Sequence, residues 1–167
     1  MGVHPDTLRR RDKEISGRSE LDRILHGASV LHLAMARDGE PYVVPLSFGY
    51  DGGRLYFHCA MEGLKLDFLA ANPRVCFTVV EDPRLVEHER LACSFSASYA
   101  SVLGRGRAVE LVEDGERRHG LNEIMRHYTG RADWTFGEAV FSRTRLFAVE
   151  IESLTGKRSP AETDGDE

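Results

Sequence analysis

Residues 42–60 read YVVPLSFGYDGGRLYFHCA, and this stretch decides the fold. Large apolar residues alternate with smaller ones from Tyr42 to Tyr50, which is the period-two pattern of a β-strand with one apolar face. Residues 51–53, Asp-Gly-Gly, form a turn sequence, and residues 54–60 are again rich in strand-forming side chains. The stretch therefore predicts two antiparallel strands joined by a tight turn.

The flanking residues extend this antiparallel pattern. Asp38-Gly39 is a strong signal for a two-residue hairpin turn, and Gly104 and Gly106 interrupt a long apolar run where a bulge or sharp bend is expected. Six strands are predicted, at residues 29–36, 42–50, 54–60, 74–80, 93–112 and 145–154. Short helices are predicted at residues 20–27 with Ser19 as the N-cap, at 63–72 and at 114–127. We expect a mainly β (α+β) fold, a small antiparallel barrel that is closed or partly closed.

The chain has 167 residues, the usual size of one domain. We predict a flexible N-terminal arm at residues 1–17, the barrel domain at 18–156 and a disordered acidic tail at 157–167. No apolar run reaches the ~18–20 residues that cross a bilayer, and the N-terminal residues lack the apolar stretch of a secretory signal. A cytoplasmic protein without a membrane partner is expected.

Charge and cysteine usage argue against two further classes of function. The net charge is −5, and the one basic cluster, residues 9–13, has the pattern of a solvated arm rather than of a nucleic-acid-binding face. Cys59, Cys76 and Cys93 are spaced 17 residues apart without a C-x-x-C pair, which suits neither a zinc site nor a disulfide framework. We expect no bound metal and no nucleic-acid partner, and we interpret the cysteines as apolar filler.

The Gly63-x-Lys65 sequence lies where a strand gives way to a helix. The N-terminus of a helix presents free N–H groups and a partial positive charge, so it binds phosphate readily. A lysine in the first turn opposes the helix dipole but is useful if an anion lies above it. Two interpretations stay open, a phosphate site at Lys65 or a surface lysine paired with Asp67.

The order of these motifs resembles the FMN-binding split-barrel family, the pyridoxamine 5'-phosphate oxidase-like flavoproteins. The branch that it is most similar to is the nitroimidazole-resistance, NimA-type group. The resemblance covers about residues 8–158 and rests on six segments in the right order, residues 9–15, 45–58, 63–65, 72–77, 99–106 and 154–157. The arginine–histidine motif that true pyridoxamine-phosphate oxidases carry near the C-terminus is missing, so that specific activity is not expected.

The resemblance implies a six-stranded antiparallel Greek-key split barrel, usually a homodimer with one FMN in each cleft between subunits. The backbone at Pro45, Leu46, Ser47 and Phe48 would line the flavin ring, and His58, Cys59 and Ala60 would flank it. The 5'-phosphate would be held by Lys65, with help from the turn that contains Gly63. Ser96 and Tyr99 would approach the cofactor or its partner subunit from the long strand.

The resemblance also implies an FMN-dependent oxidoreductase, in which a nicotinamide donor reduces the flavin and the flavin reduces a small nitroaromatic or quinone-like acceptor. His58 is the candidate catalytic residue, because imidazole exchanges protons near neutral pH, although it could equally serve only to pack the cleft. One alternative is a non-catalytic protein that holds flavin or haem in the same cleft for storage or sensing. Another is a barrel without a cofactor that serves as an interaction domain.

Overall fold

The computed structural model describes residues 10–87 and 91–159, and its strands all belong to one antiparallel sheet. Its eight strands are β1 (Glu14–Ile15), β2 (Leu31–Arg37), β3 (Glu40–Leu46), β4 (Gly49–Tyr50), β5 (Arg54–Cys59), β6 (Arg74–Val86), β7 (Ser96–Leu111) and β8 (Arg145–Ser159). Their order across the sheet is β3-β2-β6-β7-β8-β5-β4, and β1 pairs with β8. Within the described residues the sheet has two free ends, at β3 and β4, so it forms an open, split barrel. The predicted mainly antiparallel β fold is confirmed, with two two-residue strands added to the predicted six.

The two hairpin turns form as their sequences predict. Asp38 and Gly39 both have positive φ angles, 51° and 85°, which is the geometry of a type I′ turn between β2 and β3. In the second turn the Asp51 carboxylate accepts hydrogen bonds from the backbone N–H groups of Gly53, at 2.8 Å, and Arg54, at 2.7 Å. These local contacts reverse the chain, and Arg18 of the first helix adds a hydrogen bond of 2.8 Å to the Gly52 carbonyl oxygen.

The prediction of one strand over residues 42–50 is wrong, because the chain changes partners in the middle. β3 pairs with β2 as far as Leu46, whereas Gly49 and Tyr50 pair with β5. Ser47 and Phe48 lie between the two ladders. The apolar alternation continues across this break because Phe48 and Tyr50 are both buried in the core, so periodicity alone does not reveal it.

The strands after α2 are longer than predicted. β6 continues through residues 81–86, predicted as a polar connection, because ladder pairing with β7 uses the backbone and tolerates polar side chains. β7 begins at Ser96 rather than Cys93, since residues 92–94 form a 3₁₀ turn. The expected irregularity at the paired glycines is confirmed as a register shift between Arg105 and Gly106 where β7 meets β8.

Both predicted chain ends contain residues that belong to the sheet. Glu14 and Ile15 of the expected arm form β1, and residues 157–159 of the expected tail are the end of β8. Residues 1–9 and 160–167 lie outside the described residues. The first helix, α1 (Arg18–Gly27), begins before the predicted N-cap: its N-cap is Gly17, and Arg18 forms an ion pair with Asp22 along the helix.

Helices cover both faces of the sheet around β5 and β8. Apolar residues of α1 and of α2 (Leu64–Ala71) join the main core inside the barrel. On the other face α3 (Asp114–Thr129) packs Ile124 against Tyr56 and Leu146. A short helix, α4 (Glu138–Phe141), precedes β8. Because β5 is covered on both sides, Leu55, Tyr56 and Phe57 are all buried, which explains its continuous apolar sequence.

Among residues 10–87 and 91–159, no helix is both long and apolar enough to cross a membrane.

Candidate functional site

The chain segments beyond the β4–β5 ladder take different partners, and the region between them is here called the cleft. Gly49 pairs with Tyr56, and this is the last rung between β4 and β5. Beyond this rung, β5 continues to pair with β8. The residues that precede β4 instead belong to β3, which pairs with β2. Ser47 and His58 are each two residues past the last rung, on the two sides of the divergence. The backbone of each side therefore borders a gap that no ladder bond closes within the described residues.

One side of this gap consists of the four residues predicted to line a flavin ring. Pro45 pairs with His32 and Leu46 pairs with Leu31, so both are held in β3. Pro45 and Ser47 are exposed, Leu46 is half-buried and Phe48 is fully buried. The segment thus presents an accessible backbone above an apolar base.

The other side is the end of β5 and the turn that leads into α2. His58 is exposed, and Cys59 is half-buried with a free thiol. Ala60 begins the turn, and Gly63 is the N-cap of α2 with φ 142° and ψ 155°. This backbone conformation is one that glycine adopts readily and that side chains with a Cβ rarely adopt. Glycine at this position lets the chain turn from the strand into the helix.

Lys65 lies in the first turn of α2 and is half-buried. Its ammonium nitrogen is 5.5 Å from the centre of the Phe57 ring, on the neighbouring strand. No ion pair or hydrogen bond joins the Lys65 ammonium to a residue in the described part of the chain, so the pairing with Asp67 considered from the sequence is not formed. Burial lowers the pKa of Lys65, as expected for a cation without a compensating anion.

The positive charge of Lys65 affects the pKa values of the two residues at the end of β5, His58 and Cys59. Desolvation by neighbouring atoms lowers the pKa of His58 although the residue is exposed, and the positive charge of Lys65 lowers it further, which favours the neutral ring at pH 7. Burial raises the pKa of the Cys59 thiol, which is therefore protonated at neutral pH. Lys65, His58 and Cys59 form one electrostatic neighbourhood with a single net positive charge.

Other cations near the cleft already have partners. Arg145, which pairs with Cys59 across the β5–β8 ladder, forms a bidentate ion pair with Glu110. Arg117 donates hydrogen bonds to the carbonyl oxygens of Phe141 and Thr144. Within the described residues, Lys65 therefore differs from its charged neighbours in lacking a counter-charge.

Ser96 and Tyr99 lie near the opposite end of β7 from the β5 side of this cleft. His58 pairs with Leu146, which pairs with Leu111 at the C-terminal end of β7. Tyr99 lies twelve residues away along the same strand, roughly 40 Å at ~3.3 Å per residue, and Ser96 lies further. At that end Tyr99 contacts Lys157, whose ammonium is 5.7 Å from the ring centre.

The structure adds a residue that the sequence analysis missed. The hydroxyl of Tyr128, in the last turn of α3, accepts a hydrogen bond of 3.1 Å from the backbone N–H of Phe48. The two residues are 80 positions apart, and Tyr128 belongs to no recognisable motif. No sequence signal marks this contact.

No cluster of three or more His, Cys, Asp or Glu side chains suited to a metal ion occurs among residues 10–87 and 91–159.

A family model described as pyridoxamine 5'-phosphate oxidase matches residues 17–158 of the chain. The matched range contains β2 to β7 and all but the last residue of β8, together with the whole cleft.

Two solved structures are similar in both sequence and fold. A candidate 5-nitroimidazole antibiotic resistance protein from Bacteroides thetaiotaomicron is 30% identical and superposes with a TM-score of 0.76, over 86% of this chain and 85% of that protein. An FAD-binding protein from Mesorhizobium loti is also 30% identical, with a TM-score of 0.64 over 88% of this chain and 97% of that protein.

An uncharacterised protein from Rhizobium meliloti (strain 1021) is 33% identical over 67 residues. These residues are 40% of this chain and 44% of that protein, so the chain matches less than half the length of this curated relative.

Replacing Lys65 with glutamine should raise the pKa of His58, because it removes the positive charge that opposes protonation of the ring. An NMR pH titration of the His58 ring protons measures this directly, with Lys13→Gln as a control of the same charge change at a lysine bonded to Ser159. An unchanged His58 pKa in Lys65→Gln would contradict the electrostatic link.

The lowered pKa of His58 also affects stability in the wild-type protein. The unfolded chain binds a proton at His58 more tightly than the folded chain does, so protonation of this residue lowers the free energy of unfolding as the pH falls below about 6.5.

Proposed function

We propose that this chain, which belongs to the pyridoxamine 5'-phosphate oxidase family, binds flavin mononucleotide and reduces a small acceptor with electrons from a nicotinamide donor. The acceptor class is a nitroaromatic or quinone-like compound. The observation that carries the proposal is the half-buried ammonium of Lys65, which has no counter-charge within the described residues and lies beside the gap between β3 and β5.

The residues present fit the phosphate end of this cofactor. A partly buried charge without a partner is costly, and an anion placed beside it removes much of that cost. Lys65 and the free N–H groups at the start of α2 both favour an anion at this position. Gly63 leaves the approach to these groups free of a side chain. We assign the 5'-phosphate to Lys65 and to the turn before it.

The cleft also fits a flat heteroaromatic ring. The segment 45–48 offers backbone groups at the free edge of β3, and Phe48 closes the site from the core side. On the opposite side residues 58–60 follow the last ladder rung of β4 and β5. When bound, the flavin would supply the electron transfer, and the protein's part is to orient the ring and to exclude competing reactions.

His58 is proposed to act on the proton of the acceptor or to hold the acceptor by a hydrogen bond. Its ring is exposed at the mouth of the cleft and neutral at pH 7. A phosphate dianion beside Lys65 would offset the charge that holds the His58 pKa down. Cofactor binding would therefore bring the pKa of His58 closer to neutral pH, where it transfers protons most effectively.

We propose that two copies of the chain complete the site. A single chain supplies both described sides of the cleft, and Ser96 and Tyr99 lie beyond the positions of β7 that align with either side. Exposed apolar residues occur on the same part of the sheet as these two, including Leu85, Phe95 and Leu103. In a homodimer these residues would be covered, and Ser96 and Tyr99 could reach the cofactor of the partner subunit.

The similar proteins support the flavin class of ligand. One relative at 30% identity is described as an FAD-binding protein and another as a candidate nitroimidazole resistance protein. We favour FMN over FAD because the described cleft has one uncompensated cation, Lys65, matched to one terminal phosphate, and because of the family resemblance of residues 45–65.

A non-catalytic role in holding flavin or haem is the second candidate. It is favoured by the exposed, neutral His58, since a neutral imidazole is a good axial ligand for iron.

Absorption spectra and anaerobic titration with NADH and NADPH separate the two candidates. We expect bound flavin bands that bleach with the nicotinamide and recover when a nitroaromatic or quinone is added. A flavin that no nicotinamide reduces, or a Soret band in protein grown with haem, would favour the non-catalytic role.

Lys65→Gln should weaken FMN binding about tenfold or more, equivalent to about 1.4 kcal/mol or more, because it removes a charge-assisted contact with phosphate. Riboflavin, which lacks the phosphate, should bind the variant as it binds the wild-type protein. Fluorescence quenching titrations give both dissociation constants.

The matched control is Arg131→Gln, which removes an exposed positive charge paired with Asp133 in the loop after α3. It should leave the FMN dissociation constant within about twofold. Equal FMN affinity in Lys65→Gln and wild-type protein would refute the phosphate assignment.

A further inference from the structure

We propose that Tyr128 is a positioning residue that sets the backbone of the segment 45–48 for the flavin ring. The inference rests on the proposed function of the cleft and identifies how that function depends on α3. Tyr128 itself lies outside the phosphate site and belongs to the opposite face of the sheet.

The first observation is the hydrogen bonding of the Tyr128 hydroxyl. It accepts a bond of 3.1 Å from the N–H of Phe48 and donates one of 2.8 Å to the carbonyl oxygen of Ser29. A phenol hydroxyl has a single donor, which is used here. The hydroxyl therefore bridges two chain segments, the crossing after β3 and the connection between α1 and β2.

The second observation is that the ladders leave this crossing unsupported. β3 is paired through Leu46, and the next rung is Gly49 with Tyr56. Ser47 and Phe48 fall between the two. The hydrogen bond to Tyr128 supplies the Phe48 N–H with the partner that a ladder would otherwise provide, and Phe48 is fully buried.

The third observation is a parallel contact made by the preceding residue. The His127 Nε2 is 2.6 Å from the carbonyl oxygen of Ala28, and its ring centre is 4.3 Å from that of Phe48. Burial lowers the pKa of His127, so the neutral ring donates through Nε2. Its Nδ1 is buried without a hydrogen-bond partner in the described structure. The last turn of α3 thus contacts both the crossing after β3 and the connection between α1 and β2.

The fourth observation is the close approach of α3 to the next residue of the chain. A Cβ added at Gly49 would lie 2.5 Å from the backbone carbon of Glu123 and from the backbone nitrogen of Ile124. The helix backbone therefore rests on Gly49. Contact at Gly49 and the hydrogen bond at Phe48 together fix the crossing relative to α3.

These contacts make α3 the support for the part of the segment that the ladders leave free. Loss of the Tyr128 hydroxyl would leave the Phe48 N–H without its partner and let the crossing shift. A ring held against residues 45–48 would respond to that shift, whereas a phosphate held at Lys65 would not.

The test is Tyr128→Phe, which keeps the aromatic ring and removes the hydroxyl. We expect FMN and riboflavin to lose affinity by the same factor, about fivefold to tenfold, as for one lost hydrogen bond. The visible circular dichroism of bound flavin should change as well, because the backbone of residues 45–48 would lie differently around the ring. This differs from Lys65→Gln, which should affect FMN alone.

The matched control is Tyr50→Phe. Tyr50 lies two residues after Phe48 in the chain, and its side chain contacts α1. Its hydroxyl oxygen is 2.5 Å from a carboxylate oxygen of Asp22 and 3.0 Å from the Gly52 carbonyl oxygen. Its removal should cost comparable thermal stability while leaving flavin affinity and the visible circular dichroism unchanged. Identical flavin effects in the two variants would overturn the proposal, since they would report general loss of stability.

A wild-type protein that binds no flavin would refute the proposed function. A wild-type protein that binds flavin, together with a Tyr128→Phe variant of unchanged affinity and spectrum, would overturn the positioning role alone. If the variant does not fold, amide hydrogen exchange on the wild-type protein decides instead: protection of the Phe48 amide that increases with flavin supports the role, and unprotected exchange overturns it.

Discussion

The proposed site depends on the half-buried ammonium of Lys65, which has no counter-charge among the described residues. Lys65 is drawn into partial burial by α2, whose Leu66, Phe68 and Leu69 are buried in the core. Its ammonium therefore remains close to the end of β5 instead of extending into solvent, and it lowers the pKa of His58 from there. Nearby arginines are matched by carboxylates or carbonyl oxygens. An anionic ligand is the simplest way to balance the remaining charge.

The fold creates the cleft by making the chain change partners between β3 and β4. One strand continuing through residues 42–50 would have closed the gap with its own ladder. The break at Ser47 and Phe48 leaves strand edges open beside Lys65, and α3 supports the break from the opposite face of the sheet. The phosphate end and the ring end of the proposed site thus depend on different elements, α2 for the first and α3 for the second.

The sequence predicts those features that local chemistry controls. The Asp38-Gly39 turn, the Asp51 turn and the irregularity at Gly106 follow from residues adjacent in the chain, and all are present. The break at Phe48 is not predictable because it is held by a hydroxyl 80 residues away, and burial of Phe48 preserves the period-two pattern across it. The pairing of residues 81–86 was missed because backbone bonds sustain a ladder beneath polar side chains. Likewise, the separation of Tyr99 from His58 follows from strand register, which the motifs do not encode.

A crystal structure with FMN tests the central claim most directly. We predict a phosphate oxygen within hydrogen-bonding distance of the Lys65 ammonium nitrogen, with the flavin ring against the backbone of residues 45–48. A phosphate bound elsewhere on the chain, with Lys65 left unpaired or turned to a carboxylate, would contradict the account.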